Sequence, residues 1–428
     1  MKRTYISHVT PGERQRVQGF VENIRNKRTM AFLVVRDITG KLQITIEKEK
    51  HPGLVPAIDA LTIDSVITVE GEVLANEYVK MGGIELLPDS LVVESLAEAL
   101  PIKDDSSIDL RIDYRWIDLR TERNTLLFQV QTAFVAAMRQ YMLDNNFLEI
   151  HTPKLIAAAS ESGADVFELT YFDRKAYLSQ SPQFYKQMAM AAGFDRIFEV
   201  GPVFRAEKSN TSKHTTEFTG FDLEMSFIDS FRDVMDMEAG LLRYALERVK
   251  AQWGDAIEAA FGKPVVVPAL PFPEMKLAEV YAELESRYGF TVPEEEHGDL
   301  TTEAERLCEK LSMDKFGHEF LFVTDYGPEK RAFYHMRESG MPQGYDLIWR
   351  GVEITTGAQR EHRYEQLLAQ AAEKGLDEDV KFYLDFFRYG CPPHGGFGIG
   401  IDRLTMMLTG LPIKEAMFIF RGPNRLNP

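Results

Sequence analysis

Apolar and polar positions alternate with period two through the first hundred residues. Leu42, Ile44 and Ile46 alternate with Gln43, Thr45 and Glu47 in KLQITIE, and Ile67, Val69 and Val73 alternate in VITVEGEV. That rhythm marks half-buried strands. In order along the chain, RVQGFVENIR, AFLVVRD and KLQITIE read as strands, PGLVPAIDAL as a helix, and SVITVEGEV and IELLPDSLVVES as two more strands. The rhythm stops in residues 96–122, a polar, proline-containing stretch suited to a hinge. Beyond it the period changes: Leu127, Val130, Phe134, Met138 and Met142 recur every three or four residues, an amphipathic helix, and the strand-like FLEIHTP follows.

Three strands, a helix and two strands is the element order of an OB-fold, a small barrel that binds oligonucleotides on one face, although another five-stranded barrel would share it. After residue 123 strands and helices mix with no βαβ repeat, which favours an α+β domain with a mainly antiparallel sheet over a doubly wound one. The chain therefore divides into an all-β barrel (1–95), a hinge (96–122) and an α+β domain (123–428).

Composition adds exclusions. With 44% apolar and 27% charged residues the chain is an ordinary globular protein. No apolar run approaches the roughly 18 residues that span a bilayer. The start, MKRTYISHVTPGERQR, lacks a signal-peptide core, so a cytoplasmic protein without membrane partners is expected. Cys308 and Cys391 are too far apart for a close-spaced zinc knuckle. The formal net charge of −17 opposes nucleic acid only if it is spread evenly. It is not: Arg25, Lys27 and Arg28 begin a basic stretch in the first domain, and PEEEHGD at 293–299 is acidic in the second.

Three segments concentrate charge and glycine among apolar residues. In FRAEKSNTSKHTTEFTGFDLEMSF, Arg205 and Glu207 alternate as on one strand face, and His214, Phe218, Asp222 and Glu224 follow a polar loop. A salt-bridged hairpin would account for Arg-x-Glu equally well. In RGVEITTGAQREHR, Glu353 precedes Thr356 by three and Arg360 by seven residues. Carboxylate and hydroxyl oxygens suit Mg²⁺, and an arginine suits carboxylate or phosphate. In PPHGGFGIGIDRLTMMLTG the glycines at 395, 396, 398 and 400 do not form G-x-G-x-x-G, and no Walker loop occurs in the chain. What remains is backbone that something approaches closely, with Arg403 behind it.

In this order after an OB-like domain, these segments resemble the signature motifs of class II aminoacyl-tRNA synthetases. Pro153 is similar to the motif 1 proline of the dimer interface (motif near 125–156), FRAE with His214 and Phe218 to motif 2 (near 201–228), and GIGIDRL with Arg403 to motif 3 (near 394–412). An insertion of unassigned role lies near 268–340. YRWIDLR resembles the hinge of the aspartyl, asparaginyl and lysyl subclass, and SQSPQFYKQ, GVEITTGAQREHR and RYGCPPHGGFG look most like the short archaeal-type aspartyl enzymes.

The resemblance implies a homodimer that joins L-aspartate to tRNA-Asp in two steps, through an aspartyl-adenylate, using ATP and Mg²⁺. An ionised α-carboxylate attacking the α-phosphate needs no general base, so positioning and charge neutralisation carry the catalysis. Arg205, Glu207 and Arg403 are then the catalytic set: Arg205 bridges the substrate carboxylate and the α-phosphate, Arg403 holds the γ-phosphate end, and Glu207 reads the adenine amino group. Phe218 stacks on adenine, and Lys213, His214 and Thr215 line the ATP site with Gly400, Ile401 and Asp402. Glu353 and Thr356 would hold the metal. Lys186 and Arg360 would clamp the aspartate side chain, with Thr356 nearby, and Glu161, Gln183 and Asp222 would receive its ammonium. On the barrel, Arg25, Phe32, Gln43 and Glu85 would read the anticodon, although an aromatic in a strand is more often core.

Departures from the pattern are Thr356 for serine, Asp402 for glutamate and the ending FIFRGPNRLNP. Glu22 and Met81 match neither the residue pair of members restricted to tRNA-Asp nor that of members that also charge tRNA-Asn, so this point stays open. The competing readings are an asparaginyl-tRNA synthetase, a paralogue without tRNA charging, and a plain OB-type nucleic-acid binder. Lys186 argues against the first, and Arg205, Glu207, Glu353 and Arg403 together against the others.

Overall fold

The computed structural model describes residues 1–158, 166–208 and 214–428. The chain forms two compact units, Met1–Ile117 and Asp118–Pro428. The break falls inside the stretch expected to be a hinge, which carries two short helices, Ile108–Asp113 and Arg115–Asp118.

In the first unit, strands β1 (Arg14–Asn26), β2 (Met30–Asp37), β3 (Gly40–Glu47), β4 (Val66–Ala75) and β5 (Ile84–Ser95) close a barrel in the order β1-β2-β3-β5-β4. A short helix, Val55–Ala60, lies between β3 and β4 in sequence. The alternating residues fill the interior: Leu42, Ile44, Ile46, Ile67, Val69 and Val73 have no exposed surface. Each such burial contributes on the order of 1.5–3 kcal/mol.

The second unit is built on an eight-stranded sheet. From one edge its strands are Glu274–Lys276, Phe320–Thr324, Gly344–Trp349, Val352–Arg360, His394–Gly400, Glu217–Ser226, Arg196–Phe204 and Leu148–Glu149. Pairing is antiparallel throughout the middle and parallel only at the two edge strands. Of FLEIHTP, only Leu148–Glu149 joins the sheet. The periodic segment forms the helix Glu122–Asp144, capped by the Thr121 hydroxyl, which accepts from Asn124 N. Its stripe Leu127, Val130, Phe134, Met138 and Met142 is buried, packing with the long helix Phe231–Phe261 under the sheet. The insertion contributes the edge strand Glu274–Lys276, its neighbour Phe320–Thr324 and the helices Leu277–Tyr288 and Thr302–Phe316, with its own core around Val280, Leu284 and Leu311. Cys308 belongs to that core, and burial pushes its thiol up to about 12. Among the described residues no helix is long and apolar enough to cross a membrane.

A titratable carboxyl is buried beside the main core. Glu238, on the long helix, accepts a 2.6 Å hydrogen bond from Tyr345 Oη, and burial pushes its carboxyl up to about 8 from an ordinary 4.5. Because the folded value is the higher one, its stabilising contribution is complete below about pH 4.5 and is lost as pH rises through about 8. Glu238→Gln should therefore gain stability over the natural protein progressively between pH 5 and 9 in urea unfolding; a difference that does not change with pH would contradict this.

Candidate active site

The site lies on one face of the sheet, where neighbouring strands and the helices Gln183–Ala191 and Ile401–Thr409 converge on a cavity of about 340 Å³. On Glu217–Ser226 the period-two positions Phe218, Gly220, Asp222 and Glu224 share that face. Across from them, Asp222 pairs with Gly398 and Glu224 with Gly396. A Cβ on Gly398 would come within 2.6 Å of Asp222 Oδ1, and one on Gly396 would overlap Glu224 Oε2 and the Leu223 carbonyl. The close approach that the glycine run allows is thus made by two carboxylates of the adjacent strand.

Those carboxylates hold two buried cations. Lys186, on the helix Gln183–Ala191, is 1% exposed, with its Nζ 3.0 Å from Asp222 Oδ1 and 3.4 Å from Glu224 Oε2. Arg360 Nε donates to Glu224 Oε1 at 2.9 Å, and Nη2 to Gly396 O at 2.8 Å. Burial alone would raise the Glu224 carboxyl, but Arg360 and Lys186 hold it below its ordinary value. Below this pair His394 donates from Nδ1 to Pro392 O at 2.8 Å, and Gln187 lies 3.0 Å from its Nε2. Burial pulls this imidazole down to about 4, so it is neutral at physiological pH.

The other end of the cavity is acidic. In a regular strand Glu353 and Thr356 would face opposite sides, being three residues apart. Here Leu347 pairs with Thr355 and the next residue, Ile348, with Glu353, leaving Ile354 as an extra residue. That bulge re-aims the strand and brings Thr356 Oγ1 to 3.0 Å from Glu353 Oε1. Asp346 stands opposite Thr356 and is gripped by Arg331 at 2.9 and 2.8 Å. Burial, reinforced by Asp346, pushes the Glu353 carboxyl up to about 7. Arg403 Nη1 donates to Glu353 O at 2.8 Å.

Arg205 and Glu207 follow the end of the strand Arg196–Phe204 and do not alternate on its face. The Arg205 main-chain N–H still donates to Thr216 O at 2.9 Å, and the Arg205 guanidinium lies over the Phe218 ring, 5.5 Å from its centroid. Glu207 lies 3.9 Å from Arg205 and 3.8 Å from His214. Thr215, Gly400 and Asp402 also line the cavity, with Asp402 Oδ2 accepting from Thr219 N at 3.3 Å. Gln183 lines the opposite end. Ile401 is instead packed in the main core behind the wall. Glu161 and Lys213 lie outside the described residues.

Arg331 and Asp346 were missed by the sequence reading. Asp346 left a signal: it is the lone charge in GYDLIW, a strand buried along its whole length, where a carboxylate demands a partner. Arg331 left none, since RAFYHM has no period to place it. The buried carboxylates of Glu353 and Asp346 are oxygen donors of the kind a divalent cation takes, although Asp346 is already paired with Arg331. Among the described residues no cluster of three or more acidic, histidine or cysteine side chains could hold a metal by itself, so such an ion would draw further ligands from a bound phosphate.

The four anticodon candidates lie on the barrel. Phe32 is half-buried and outside the barrel core, with the Arg25 guanidinium 5.8 Å from its ring centroid. Glu85 accepts from Gln43 at 3.2 Å and from Asn76 at 2.7 Å.

Residues 107–420 match the family described as tRNA synthetases class II (D, K and N), and residues 15–94 match the OB-fold nucleic acid binding domain. The chain is 40% identical over 441 residues to an aspartate–tRNA(Asp/Asn) ligase of Methanopyrus kandleri, covering 100% of both. It is 39% identical over 446 residues to an aspartate–tRNA(Asp) ligase of Thermococcus kodakarensis, again covering 100% of both. Among solved structures it is similar to the asparaginyl-tRNA synthetase of Pyrococcus horikoshii in complex with asparaginyl-adenylate, with a TM-score of 0.92, 32% identity and 100% of both chains covered.

The glycine constraint gives a direct test of the packing. Gly396→Ala should cost about 1–3 kcal/mol of unfolding free energy by displacing Glu224. Denaturant unfolding checks this, and an unperturbed midpoint would contradict it.

Proposed function

Because the chain belongs to the class II tRNA synthetases of the D, K and N group, we propose that it attaches L-aspartate to tRNA-Asp through an aspartyl-adenylate. The observation that carries this reading is the charge balance around Glu224. Asp222, with Gln183 and Glu161, is assigned to the substrate ammonium. Lys186 pairs with Asp222 at 3.0 Å and shares Glu224 with Arg360, so two cations balance two carboxylates; a substrate ammonium that engages Asp222 would leave Lys186 and Arg360 with one surplus positive charge. An aspartate side chain supplies the matching negative charge, whereas asparagine leaves the surplus buried. That difference is on the order of a few kcal/mol, about a hundredfold or more in discrimination.

In the first step the ionised α-carboxylate, aligned by Arg205, attacks the α-phosphate of ATP. The bond to the bridging oxygen breaks and pyrophosphate leaves with Arg403 at its γ end. Adenine stacks on Phe218 beneath the Arg205 guanidinium, with Glu207 accepting from its amino group. His214, Thr215, Lys213 and the backbone at Gly400–Asp402 complete the nucleotide's surroundings. Glu353 and Thr356, together with Asp346, would hold Mg²⁺ against the phosphates, where it neutralises their charge. In the second step a ribose hydroxyl at the tRNA 3′ end attacks the adenylate carbonyl, releasing AMP. The barrel reads the anticodon through stacking on Phe32, hydrogen bonds with Arg25 and Gln43, and a hydrogen bond accepted by Glu85.

Two further points belong to this reading. A homodimer joined around Pro153 accounts for Leu148 and Leu155, apolar and about half exposed on either side of it. The choice between tRNA-Asp and tRNA-Asn turns on the barrel residues Glu22 and Met81. Glu22 is held by Lys41 at 2.6 Å and Arg36 at 3.5 Å, which presents a fixed carboxylate where other members have aromatic or imidazole rings.

Charging purified tRNA-Asp and tRNA-Asn side by side tests the assignment: aspartylation of tRNA-Asp is expected, and no product with it would overturn the reading. Lys186→Met should raise the KM for aspartate at least about tenfold in pyrophosphate exchange while changing the KM for ATP much less. An unchanged aspartate KM would remove Lys186 from the pocket. Phe32→Ala should raise the KM for tRNA about tenfold, equivalent to the loss of one stacked base, with pyrophosphate exchange unaffected.

A further inference from the structure

Besides Arg331, a second side chain of the insertion reaches the active-site wall. Glu305 lies in the helix Thr302–Phe316, whose first turn is capped by the Thr301 hydroxyl accepting from Ala304 N. It belongs to the buried side of that helix, with Ala304, Cys308 and Leu311, and is only 6% exposed. A carboxylate in such a place needs a partner. Its Oε2 accepts from the Glu353 main-chain N–H at 3.3 Å.

The carbonyl of that same residue accepts from Arg403 Nη1 at 2.8 Å. Both main-chain polar groups of Glu353 are therefore held by charged side chains, one from the insertion and one from the helix Ile401–Thr409. This matters because Glu353 sits beside the bulge, where the extra residue Ile354 breaks the regular register of the ladder. The turn before it is seated on the same helix: Gly351, at φ +73°, lies so close that a Cβ would be 3.0 Å from Arg306 Cα.

We propose that Glu305 is a positioning residue for the triphosphate end of the site. By holding the Glu353 peptide against Arg403 it fixes where the Glu353 carboxylate and the Arg403 guanidinium meet a nucleotide, so the insertion is part of the ATP site. The proposal rests on the reading of the cavity as an ATP site and deepens it.

The test measures Mg-ATP binding to the full-length protein by calorimetry, without amino acid, beside aspartate-dependent pyrophosphate exchange. Glu305→Ala should weaken ATP binding about tenfold, the scale of a lost hydrogen bond to a charged group, while the KM for aspartate stays within about twofold. Glu305→Gln keeps an oxygen acceptor at that position and should recover most of the loss. Glu305→Asp, too short to reach, should behave like the alanine variant and serves if that variant fails to fold. Glu309→Ala removes an exposed charge from the same helix and should bind ATP normally. Unchanged ATP binding in Glu305→Ala and Glu305→Asp would overturn the proposal, as would equal loss for ATP and aspartate or an equal effect of Glu309→Ala. ATP binding without aspartate-dependent exchange in the natural protein would instead overturn the amino-acid assignment and leave this one standing.

Discussion

The site is organised around one buried carboxylate. Glu224 has no exposed surface, and both Lys186 and Arg360 lean on it. Removing one partner from such an arrangement typically costs about 3–5 kcal/mol, because the remaining charge is stranded. The strand partner of Glu224 must be glycine, the helix bearing Lys186 must dock beside it, and Arg360 must end its strand there. Two buried cations are thereby held in place by a fixed anion that they share.

The opposite end of the cavity reverses the sign. A bulge turns Glu353 toward Thr356, Asp346 stands across the ladder, and burial raises the Glu353 carboxyl to about 7. Arg331 and Arg403 offset this charge, one through a bidentate pair with Asp346 and the other through a carbonyl. Charges fixed in ion pairs at both ends of the cavity suit the proposed reaction, whose reactants are anionic. Electrostatic preorganisation of this kind replaces acid–base catalysis when the nucleophile is already ionised.

How much of this was legible in the sequence depended on periodicity. Leu42, Ile44 and Ile46 announce a strand, and Leu127 to Met142 a helix, because burial on one face imposes the period. Motif residues such as Asp222, Arg360 and Arg403 were also legible, since charges within apolar runs demand an explanation. Three things were not. The bulge at Ile354 has no local signature, so the convergence of Glu353 with Thr356 could only be assumed. Arg205 lies just past the strand end, and element ends are where pattern reading is weakest. Arg331 and Glu305 come from the insertion, whose sequence reads as an ordinary small domain and whose contacts with the site are tertiary.

The net charge of −17 likewise conceals an arrangement in which sign varies from place to place. The most direct test of the central proposal, that a substrate ammonium at Asp222 leaves the Lys186–Glu224–Arg360 cluster with one positive charge for a substrate side chain, is ATP–pyrophosphate exchange by the natural protein with aspartate or asparagine as the only amino acid. Exchange driven by aspartate, with asparagine weaker by about a hundredfold or more, is predicted; exchange driven equally well or better by asparagine would contradict the account.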